Sequence, residues 1–470
     1  MTYQPGIDVL VRAISERLYC INTPNGWIQP LVPKREDVSG LALLFDAARQ
    51  HIRVQHPMSA EQFANCYTGP RKRRYLAAAR SLAESGISHQ DARLKYFLKF
   101  ETYNFDEKPN PSPRGINPRS DRYLVELGRF LHSIEKRIYK AIALVFGHPV
   151  IMKGYNQAQR GAILDKLMSE VDDPVAIPAD ASRFEQSIDI PHLEVEHKWY
   201  LEFFRGEDRK HLAFLLDLQK HNKGSAHASD GDLKFSIDGK RMSGDKNTSS
   251  GNCIISASLW YEFAKEKGWL TLTRFFCDGD DAVMIIPRKY LKEFQQDYLV
   301  FCSKRGFRMK LDKVACILEQ IDFCQSRPVW TPQGYVMVRN PVSVSKDCHS
   351  KAPINNEKIA RRWIKAVGLC GLSCNGGIPV MQEFYRAMIR YAGDVKALDL
   401  THPLMVRQFR YKVYGMDREE DVIHPRTRAS YAVAFNVSPS EQLLLEKHMA
   451  ESHLEFTFET RPSITRIGLM

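Results

Sequence analysis

The chain has 470 residues, of which 44% are hydrophobic and 26% charged, and its formal net charge is +12. This composition excludes an extensively disordered protein, and the length predicts several subdomains instead of one small core. The positive charge fits a polyanionic partner and a solvated basic surface equally well. No run approaches the ~20 apolar residues of a membrane-spanning helix. Ten cysteines without a CxxC pair favour buried free thiols over disulfides or zinc.

Helical patterns dominate the first third of the chain. Short ones, including the basic cluster "GPRKRRYLAAARSL", occupy residues 1 to about 90. A basic segment follows in which prolines exclude a regular helix. These prolines are Pro109, Pro111, Pro113 and Pro118. A long helical pattern, "LVELGRFLHSIEKRIYKAIALVFG", comes next.

The predicted strands lie between about residues 175 and 340. "VAIPADASRFEQSI" predicts a strand that passes into a polar turn, and a helix begins near Pro191. "LKFSID" predicts another strand, followed by a loop and a long helix. "TRFFCDGDDAVMII" predicts a β-hairpin because Asp-Gly pairs favour tight turns, and "QIDFCQSRPVW" and "GYVMVR" predict two strands joined by "TPQG". Since the pattern is mostly helical from about residue 345, the chain is predicted to be α+β.

Three acids stand on these strands or where they end. Asp180 ends the apolar strand "VAIPAD", and Asp280 and Asp281 are expected just past the turn of the hairpin. A plain hairpin turn explains Asp278 and Gly279 but not two further acids, because like charges held close together repel and raise each other's pKa. Adjacent antiparallel strands would bring the three carboxylates close enough to share Mg²⁺, which prefers oxygen ligands.

A polar segment rich in small residues, "RMSGDKNTSSGN", lies between these acids. Taken alone, its SG pair predicts a turn, and the helix that follows predicts ordinary packing. The small residues Gly251, Ser256, Ala257 and Ser258 would let a backbone or a base approach closely. A strand aspartate, then SGxxxTxxxN, then GDD, at domain-scale spacing, is far more specific than any one of these patterns.

With "PSPRGINPRS", "ELGRFL", "DASRFEQS", "CDGDDAV" and "LEQIDFCQSRPV", the sequence resembles a known family. It is similar to the RNA-dependent RNA polymerases of positive-strand RNA viruses, most of all the tombusvirus-like (carmovirus-like) group, over roughly residues 65–345. The resemblance implies viral genome replication and transcription by RNA-templated RNA synthesis from rNTPs. It also implies two-metal-ion nucleotidyl transfer with pyrophosphate release, using Mg²⁺ with Mn²⁺ as a substitute.

The resemblance implies the fold of a right-hand polymerase, with fingers, a palm that contains a small antiparallel sheet, and a helical thumb. The implied ranges are 1–90 for an N-terminal extension and part of the fingers, 91–174 for fingers with a basic loop where nucleotides enter, 175–190 for palm, 191–232 for fingers, 233–344 for palm and 345–470 for thumb.

The resemblance also implies roles for individual residues. Asp180 and Asp280 would be the main metal ligands and catalytic residues, with Asp281 assisting. The residues expected to bind the incoming nucleotide are Glu185, Ser243, Gly244, Thr248 and Asn252, with Lys99, Lys108, Arg114 and Arg119 along its path of access. Those expected to support the 3′ end of the nascent RNA are Phe323, Cys324 and Gln325. Lys310 and Lys313 are alternative general acids for protonating pyrophosphate.

One position departs from the family's pattern. Related sequences typically carry an aspartate five residues after the first catalytic aspartate, where this chain has Glu185. In the family that position contacts the region of the ribose 2′-hydroxyl together with the asparagine that is here Asn252. Glutamate keeps the acceptor but is one methylene longer, so altered ribose discrimination or fidelity is expected.

One helix after residue 345 carries a regular row of cations. They are Lys358, Arg361, Arg362 and Lys365, at i, i+3, i+4 and i+7. This row predicts either contacts with the phosphates of product RNA or a solvated exterior.

The expected partners are template RNA, nascent RNA and rNTPs. Polymerases of this group are often extensions of a membrane-anchoring replication protein. Because this chain begins at Met1 and shows no anchor, it is expected either to be the polymerase portion or to receive the anchor in trans. The expected location is the host cytoplasm, at membrane-associated replication complexes reached through that partner.

Two rival functions are weighed against polymerisation of RNA. A reverse transcriptase shares paired aspartates, but SGxxxTxxxN and the glycine before the aspartates disfavour it. A catalytically silent RNA-binding scaffold is disfavoured because such a protein has no reason to keep mutually repulsive acids.

Overall fold

The computed structural model describes residue 3 and residues 6–101, 110–350, 354, 356–405 and 413–452. Its helices are α1 (Ile7–Ile14), α2 (Arg35–Ser39), α3 (Ala42–Ala48), α4 (Ala60–Asn65), α5 (Gly69–Ser85), α6 (Asp121–Phe146), α7 (Gln157–Ser169), α8 (Phe184–Ser187), α9 (Ile190–Glu202), α10 (Gly206–Asp217), α11 (Thr248–Glu266), α12 (Leu291–Lys304), α13 (Pro341–Val344), α14 (Glu357–Asn375), α15 (Met381–Ala392), α16 (Pro425–Phe435) and α17 (Pro439–Glu451). Within these described ranges, no helix is both long and apolar enough to cross a membrane. All ten cysteines are free thiols, as predicted, but Cys66 and Cys316 are exposed and not buried.

The strands form two four-stranded sheets and two hairpins. They are β1 (Ile21–Thr23), β2 (Gly26–Ile28), β3 (Leu94–Leu98), β4 (Gly115–Ile116), β5 (Pro174–Ala181), β6 (His221–Ala228), β7 (Gly231–Asp238), β8 (Arg274–Asp278), β9 (Asp281–Pro287), β10 (Met309–Leu311), β11 (Ser326–Thr331) and β12 (Gly334–Arg339). The mixture of helices with small, mainly antiparallel sheets confirms the predicted α+β class.

The central sheet has the order β10-β5-β9-β8, and all neighbouring strands are antiparallel. Successive residues of β5 enter different cores: Val175 and Ile177 pack with α6, α9 and α11, whereas Ala176 packs on the opposite face with residues of α7. The sheet is therefore buried on both faces, which explains the near-continuous apolar runs of its strands.

Helix α11 lies against this sheet and is buried along residues 250–264. A helix buried on all sides shows no amphipathic stripe, in accord with the small and apolar residues of "SSGNCIISASLW". It is the long helix predicted to follow the strand "LKFSID" and its loop. Its burial fixes it relative to the hairpin β8–β9.

The second sheet has the order β4-β3-β6-β7, with β3 and β6 parallel. The prediction that the strands cluster between residues 175 and 340 is therefore too narrow, because β1 to β4 precede that region. The sequence also gave no indication of β6. Its buried positions are occupied by Asn222, Ala226 and Ala228, which are too small or too polar to mark a strand.

The predicted hairpin around "TPQG" is formed by β11 and β12, with Thr331 opposite Gly334. "QIDFCQ" is not a strand, since β11 begins only at Ser326. Helix α7 packs closely on β12, and a Cβ at Gly161 would lie 2.1 Å from the Tyr335 carbonyl oxygen.

Beyond residue 345 the described chain is mostly helical, as predicted. Helices α14 to α16 share a core that includes Trp363, Val367, Tyr385 and Tyr431. Ala360, Ile364 and Val367 occupy the buried face of α14.

The row of cations on α14 mostly contacts the chain itself. Arg361 donates to the Tyr391 carbonyl at 3.0 Å, Arg362 to that of Lys396 at 2.9 Å and Lys365 to that of Gly393 at 3.0 Å. These carbonyls lie at and beyond the C-terminus of α15, where cations are favourable. The row therefore stabilises helix packing, and Lys358 is its exposed member.

Candidate active site

The register of the central sheet brings the predicted acids together. Ala179 of β5 pairs with Ala282 of β9, so Asp180 and Asp281 occupy neighbouring positions one residue further on. Asp180 is the exposed residue of a strand that is otherwise buried from Val175 to Ala181. Its carboxylate therefore stands at the end of the sheet and not in either core.

The hairpin β8–β9 is confirmed, with one shift in register. Asp278 pairs with Asp281, which leaves Gly279 and Asp280 as the two-residue loop. Gly279 has φ +89°, and Asp280 is not in the left-handed region, a combination typical of a type II′ turn. The expectation that Asp280 follows the turn is thus wrong by one residue: Asp280 lies within the turn, and Asp281 opens the next strand.

The electrostatics of these three acids are those of a crowded, partly buried site. Burial, and next the charge of Glu185, raise the pKa of Asp280 to about 7. Burial and the neighbouring Asp180 raise the pKa of Asp281. The pKa of Asp180 is raised by partial burial and by the nearby Asp312. The folded chain therefore holds three carboxylates whose ionisation is disfavoured unless a cation compensates their charge.

The fourth acid of the hairpin, Asp278, has a different environment. Lys153 donates to one of its oxygens, and Arg160 donates to the other at 2.5 Å. Burial raises the pKa of Asp278, but the two cations lower it by more, so the pKa is below its ordinary value. The segment that carries Lys153 runs beside β8, since Met152 donates to the Cys277 carbonyl at 2.8 Å. Sequence reasoning missed both cations, because they lie more than a hundred residues before Asp278, Lys153 in a turn and Arg160 in α7.

Replacing Asp278 with asparagine should lower the free energy of unfolding by about 2 kcal/mol at pH 7, because Lys153 and Arg160 would lose their shared carboxylate. Since the pKa of Asp278 is depressed by folding, its contribution is present above its unfolded value and is lost as pH falls through the lower folded value. Urea denaturation at pH 7 and below pH 4 measures both effects. Asp172→Asn, at an exposed position, is the matched control. Equal stability of Asp278→Asn and wild type at pH 7 would contradict the assignment.

The predicted nucleotide-binding segment lies beside these acids. The Ser256 hydroxyl donates to the Gly279 carbonyl at 2.6 Å, and the Cys253 thiol accepts from the Gly279 amide at 3.2 Å. Asn252 is one turn before Ser256 on α11. Glu185 is on α8, close enough to act on the pKa of Asp280. The structure therefore brings Glu185 and Asn252 to the hairpin turn.

The loop before α11, residues 242–247 and here called the SG loop, is held in place by hydrogen bonds and by close backbone packing. Thr248 donates its hydroxyl to the Met242 carbonyl at 2.8 Å, and Ser243 accepts at its carbonyl from the Asn117 amide at 2.7 Å. Gly244 has φ +138°, and a Cβ there would lie 2.9 Å from the nitrogen of Pro118. The SG loop thus rests directly on the "INPRS" segment.

Arg119 joins the same two segments from the interior. Its guanidinium contacts Asp245 at 2.7 Å, and it also donates to Asn222 and to the Ala92 carbonyl, each at 2.7 Å. The side chain is only 1% exposed. This burial differs from the expectation that Arg119 lines the nucleotide path, because the loops close over it.

Of the other basic residues, Lys99 and Arg114 are partly exposed and share Glu101, at 2.5 Å and 3.4 Å. The Lys99 amide also donates to the Arg114 carbonyl at 2.8 Å, so the two side chains leave neighbouring points of the chain. Lys108 lies outside the described residues.

Phe323, Cys324 and Gln325 lie next to the acids. The Phe323 and Ser326 amides each donate to the other's carbonyl, at 2.9 Å and 3.1 Å, and enclose a two-residue loop. Cys324 and Gln325 have φ +53° and +57°, the type I′ pattern that usually selects asparagine or glycine. Phe323 packs edge-on against Phe276 of β8 at 5.0 Å. The Cys324 thiol is thereby held beside the Asp281 carboxylate.

The two candidate general acids differ in position. Lys310 is the direct cross-strand partner of Asp180, so the two side chains share one face of the sheet, and its charge acts on the pKa of Asp180. Lys313 lies beyond the end of β10 and is exposed. The geometry therefore favours Lys310.

The acids suit a magnesium ion by donor type. In the described ranges, no three His, Cys, Asp or Glu side chains are close enough to enclose a metal ion by themselves. Mg²⁺ commonly uses one or two carboxylates and completes its ligands with substrate phosphates and water, so a preformed cage is not required. The raised pKa values of Asp180, Asp280 and Asp281 fit a site that is completed by a cation.

Residues 5–457 match the sequence profile of the viral RNA dependent RNA polymerases. The chain belongs to this family of viral polymerases.

The RNA-directed RNA polymerase of Maize chlorotic mottle virus is 37% identical over 97% of the chain and 47% of that relative. The enzymes of the same name from Melon necrotic spot virus and Tobacco necrosis virus (strain A) are 37% and 38% identical. Those matches cover 96% and 93% of the chain, and 57% and 60% of the relatives. The chain therefore spans about half the length of the curated relatives it matches.

Proposed function

We propose that this chain synthesises RNA on an RNA template from ribonucleoside triphosphates and releases pyrophosphate. The observation that carries the proposal is the crowding of Asp180, Asp280 and Asp281 at the end of the central sheet, where all three pKa values are raised. Such crowding disfavours folding and is expected where a bound cation compensates it. Membership in the family of viral RNA polymerases supports the choice of reaction.

In this proposal Asp180, Asp280 and Asp281 bind two Mg²⁺ ions, or Mn²⁺ in their place. When bound, the ions activate the attacking 3′-hydroxyl and offset the charge of the leaving pyrophosphate. The chain presents these oxygen ligands from two paired strands, β5 and β9, and from the turn that precedes β9, so their spacing is set by the sheet and its hairpin. Lys310, across from Asp180, supplies a proton to the pyrophosphate.

The remaining site residues have distinct proposed tasks. The residues that contact the incoming nucleotide and its ribose are Glu185, Ser243, Gly244, Thr248 and Asn252. Those that attract its triphosphate are Lys99, Lys108 and Arg114. Arg119 positions the loops around them, because its guanidinium is buried against Asp245. Phe323, Cys324 and Gln325 support the 3′ end of the nascent strand beside Asp281.

We also propose the right-hand arrangement of fingers, palm and thumb. The palm contains the central sheet, from residues 175–190 and from the segment that ends at 344, and residues 345–470 are the thumb. The fingers come from 91–174, from the segment after 190 and from part of 1–90, the rest of which is an N-terminal extension. Because β6 and β7 pair along their whole length, the boundary expected at 232 is better placed at the end of β7. The separate cores of the central sheet and of α14 to α16 support this division.

The proposal is tested by extension of an annealed RNA primer on an RNA template of defined sequence with Mg²⁺. We expect incorporation of the complementary rNTPs, dependent on the template and on the divalent ion. A preference for dNTPs would identify a reverse transcriptase instead. RNA binding without incorporation by the folded protein would identify a silent scaffold.

Replacing Lys310 with methionine should lower the rate of incorporation by about a hundredfold with little change in KM, because a general acid acts in the transition state. Single-turnover kinetics at saturating rNTP measures this rate. Lys313→Met is the matched control and should behave like wild type. A hundredfold lower rate in Lys313→Met, with a wild-type rate in Lys310→Met, would assign the proton transfer to Lys313.

Template and nascent RNA are the proposed macromolecular partners. A membrane-anchoring replication protein, acting in trans or as part of a longer chain, and a place in membrane-associated replication complexes of the host cytoplasm are proposed from the resemblance alone.

A further inference from the structure

We propose that Arg241 sets the selection of ribose over deoxyribose by fixing Asn252 and Glu185 together. Arg241 immediately precedes the SG loop and is 2% exposed. The inference rests on the proposed function and adds to it a positioning residue that touches neither nucleotide nor metal.

The first contact orients the amide of Asn252. The Arg241 Nε donates to the Asn252 Oδ1 at 3.0 Å. The two ends of an asparagine amide are often exchangeable, but arginine carries only donors. The atom that faces Arg241 must therefore be the oxygen, so the amide nitrogen of Asn252 is committed as a donor directed elsewhere.

Asn252 lies close to the hairpin turn that carries Asp280. It lies one turn before Ser256 on α11, and Ser256 contacts the turn that carries Asp280. A nucleotide whose phosphates meet the acids of the hairpin would bring its sugar to this part of α11.

The second contact runs through the main chain. The Arg241 amide donates to the Glu185 carbonyl at 3.0 Å, and the Lys240 amide donates to that of Ile188 at 2.8 Å. The segment before the SG loop is thus tied to α8, and the position of Glu185 follows that of Arg241. The charge of Glu185 reaches the site, since it acts on the pKa of Asp280.

Arg241 is itself held in a single place. Its guanidinium forms an ion pair with Glu196, and the two side chains are 2% and 0% exposed. The other oxygen of Glu196 accepts from Asn247 and from Tyr200, each at 2.7 Å. If Arg241 rotated away, the buried Glu196 carboxylate would keep its hydrogen bonds but lose its cation, which is strongly unfavourable.

The result is a matched pair of groups for one hydroxyl. A ribose 2′-hydroxyl both donates and accepts, so it can accept from the fixed Asn252 amide and donate to the Glu185 carboxylate. A deoxyribose leaves both unpaired, and sites that hydrogen-bond a hydroxyl discriminate strongly against analogues that lack it. Selection then depends on Arg241 because it fixes the separation and orientation of the pair.

Arg241→Lys tests this dependence. Lysine keeps the charge opposite Glu196 but lacks the fixed Nε donor. We expect the ratio of kcat/KM for rNTP to that for dNTP to fall roughly tenfold, mainly through KM for rNTP. Arg305→Lys is the matched control. Arg305 pairs with the buried Glu262, which lies on α11 about 15 Å further along the helix than Asn252. It should destabilise the protein comparably and leave the ratio unchanged.

Asn252→Asp is a second variant for the same measurement if Arg241→Lys does not fold. Aspartate preserves the acceptor for Arg241 but has no donor for the sugar, so the ratio should fall at least as far. Unchanged discrimination in a folded Arg241→Lys, or in Asn252→Asp, would overturn the inference. Wild-type incorporation of rNTPs is measured in the same assay, so a failure of the proposed function is recognised separately.

Discussion

Replacing Asp280 with asparagine should reduce nucleotide incorporation by about a thousandfold and, in the metal-free protein at pH 8, raise the free energy of unfolding by on the order of 2 kcal/mol. The loss of activity is expected because Asp280 is a proposed metal ligand. The gain in stability follows from the raised pKa of Asp280, about 7 against an ordinary value near 4. One substitution thus separates what the acid does for the reaction from what it does to the fold.

The sign of the pH dependence follows from linkage. Below pH 4 the carboxyl is protonated in both states and has little effect. Between pH 4 and 7 the unfolded chain ionises first, so the wild type loses stability as pH rises, and the full penalty is present above pH 7. Asparagine cannot ionise, so the advantage of Asp280→Asn should grow from near zero at pH 4 to its maximum at pH 8.

Urea denaturation in EDTA at pH 4, 6 and 8 measures the stability difference, and primer extension measures the activity. Asp46→Asn, at an exposed position of α3, is the control for both. Adding Mg²⁺ should stabilise the wild type more than Asp280→Asn, because ligand binding adds to the stability of the folded state alone. A stability difference that does not change with pH would argue against a perturbed Asp280.

Replacing Gly251 with alanine should cost about 3 kcal/mol of stability. A Cβ at this position would lie 2.4 Å from the Glu196 Oε1 and 2.5 Å from a terminal nitrogen of Arg241. Neither group can move far, because both are buried and each is the other's partner. Helix propensity alone would favour alanine over glycine here, so the prediction is opposite in sign to the local expectation.

Urea denaturation of Gly251→Ala measures this cost, with Ser249→Ala, at an exposed position of the same helix, as the control. A stability equal to that of wild type would mean that α11 shifts to accept the methyl group. A shift of that kind should itself be visible as a lower selection for rNTPs, since Asn252 is the next residue along the helix.

The acidic site was predictable from the sequence because its elements are local. The apolar run before Asp180 and the Asp278-Gly279 pair are strong strand and turn patterns, and antiparallel pairing does the rest. Small residues on α11 were expected to let a backbone or a base approach closely, and at Gly251 a close neighbour is present. The neighbour is an ion pair and not a backbone or base, which no local pattern indicates.

What could not be predicted depends on pairs of residues far apart in the chain. An exposed phosphate-binding arginine and a buried structural one look alike in sequence, which is why Arg119 was expected to line the nucleotide path and Arg241 was overlooked. Lys153 and Arg160 are ordinary until the sheet brings Asp278 to them. The strand β6 was missed because its partners, and not its own apolar content, define it.

The order of strands in the central sheet has a consequence for the timing of synthesis. β5 lies between β9 and β10, and both are made more than a hundred residues after it. At translation rates of about 5–20 residues per second, the edges of β5 stay unpaired for several seconds or longer. Because Asp180 meets Asp281 and Lys310 only once those strands have left the ribosome, a nascent chain has no assembled acidic site until translation has passed β10. The chain therefore cannot carry out the proposed reaction while its central sheet is still being made.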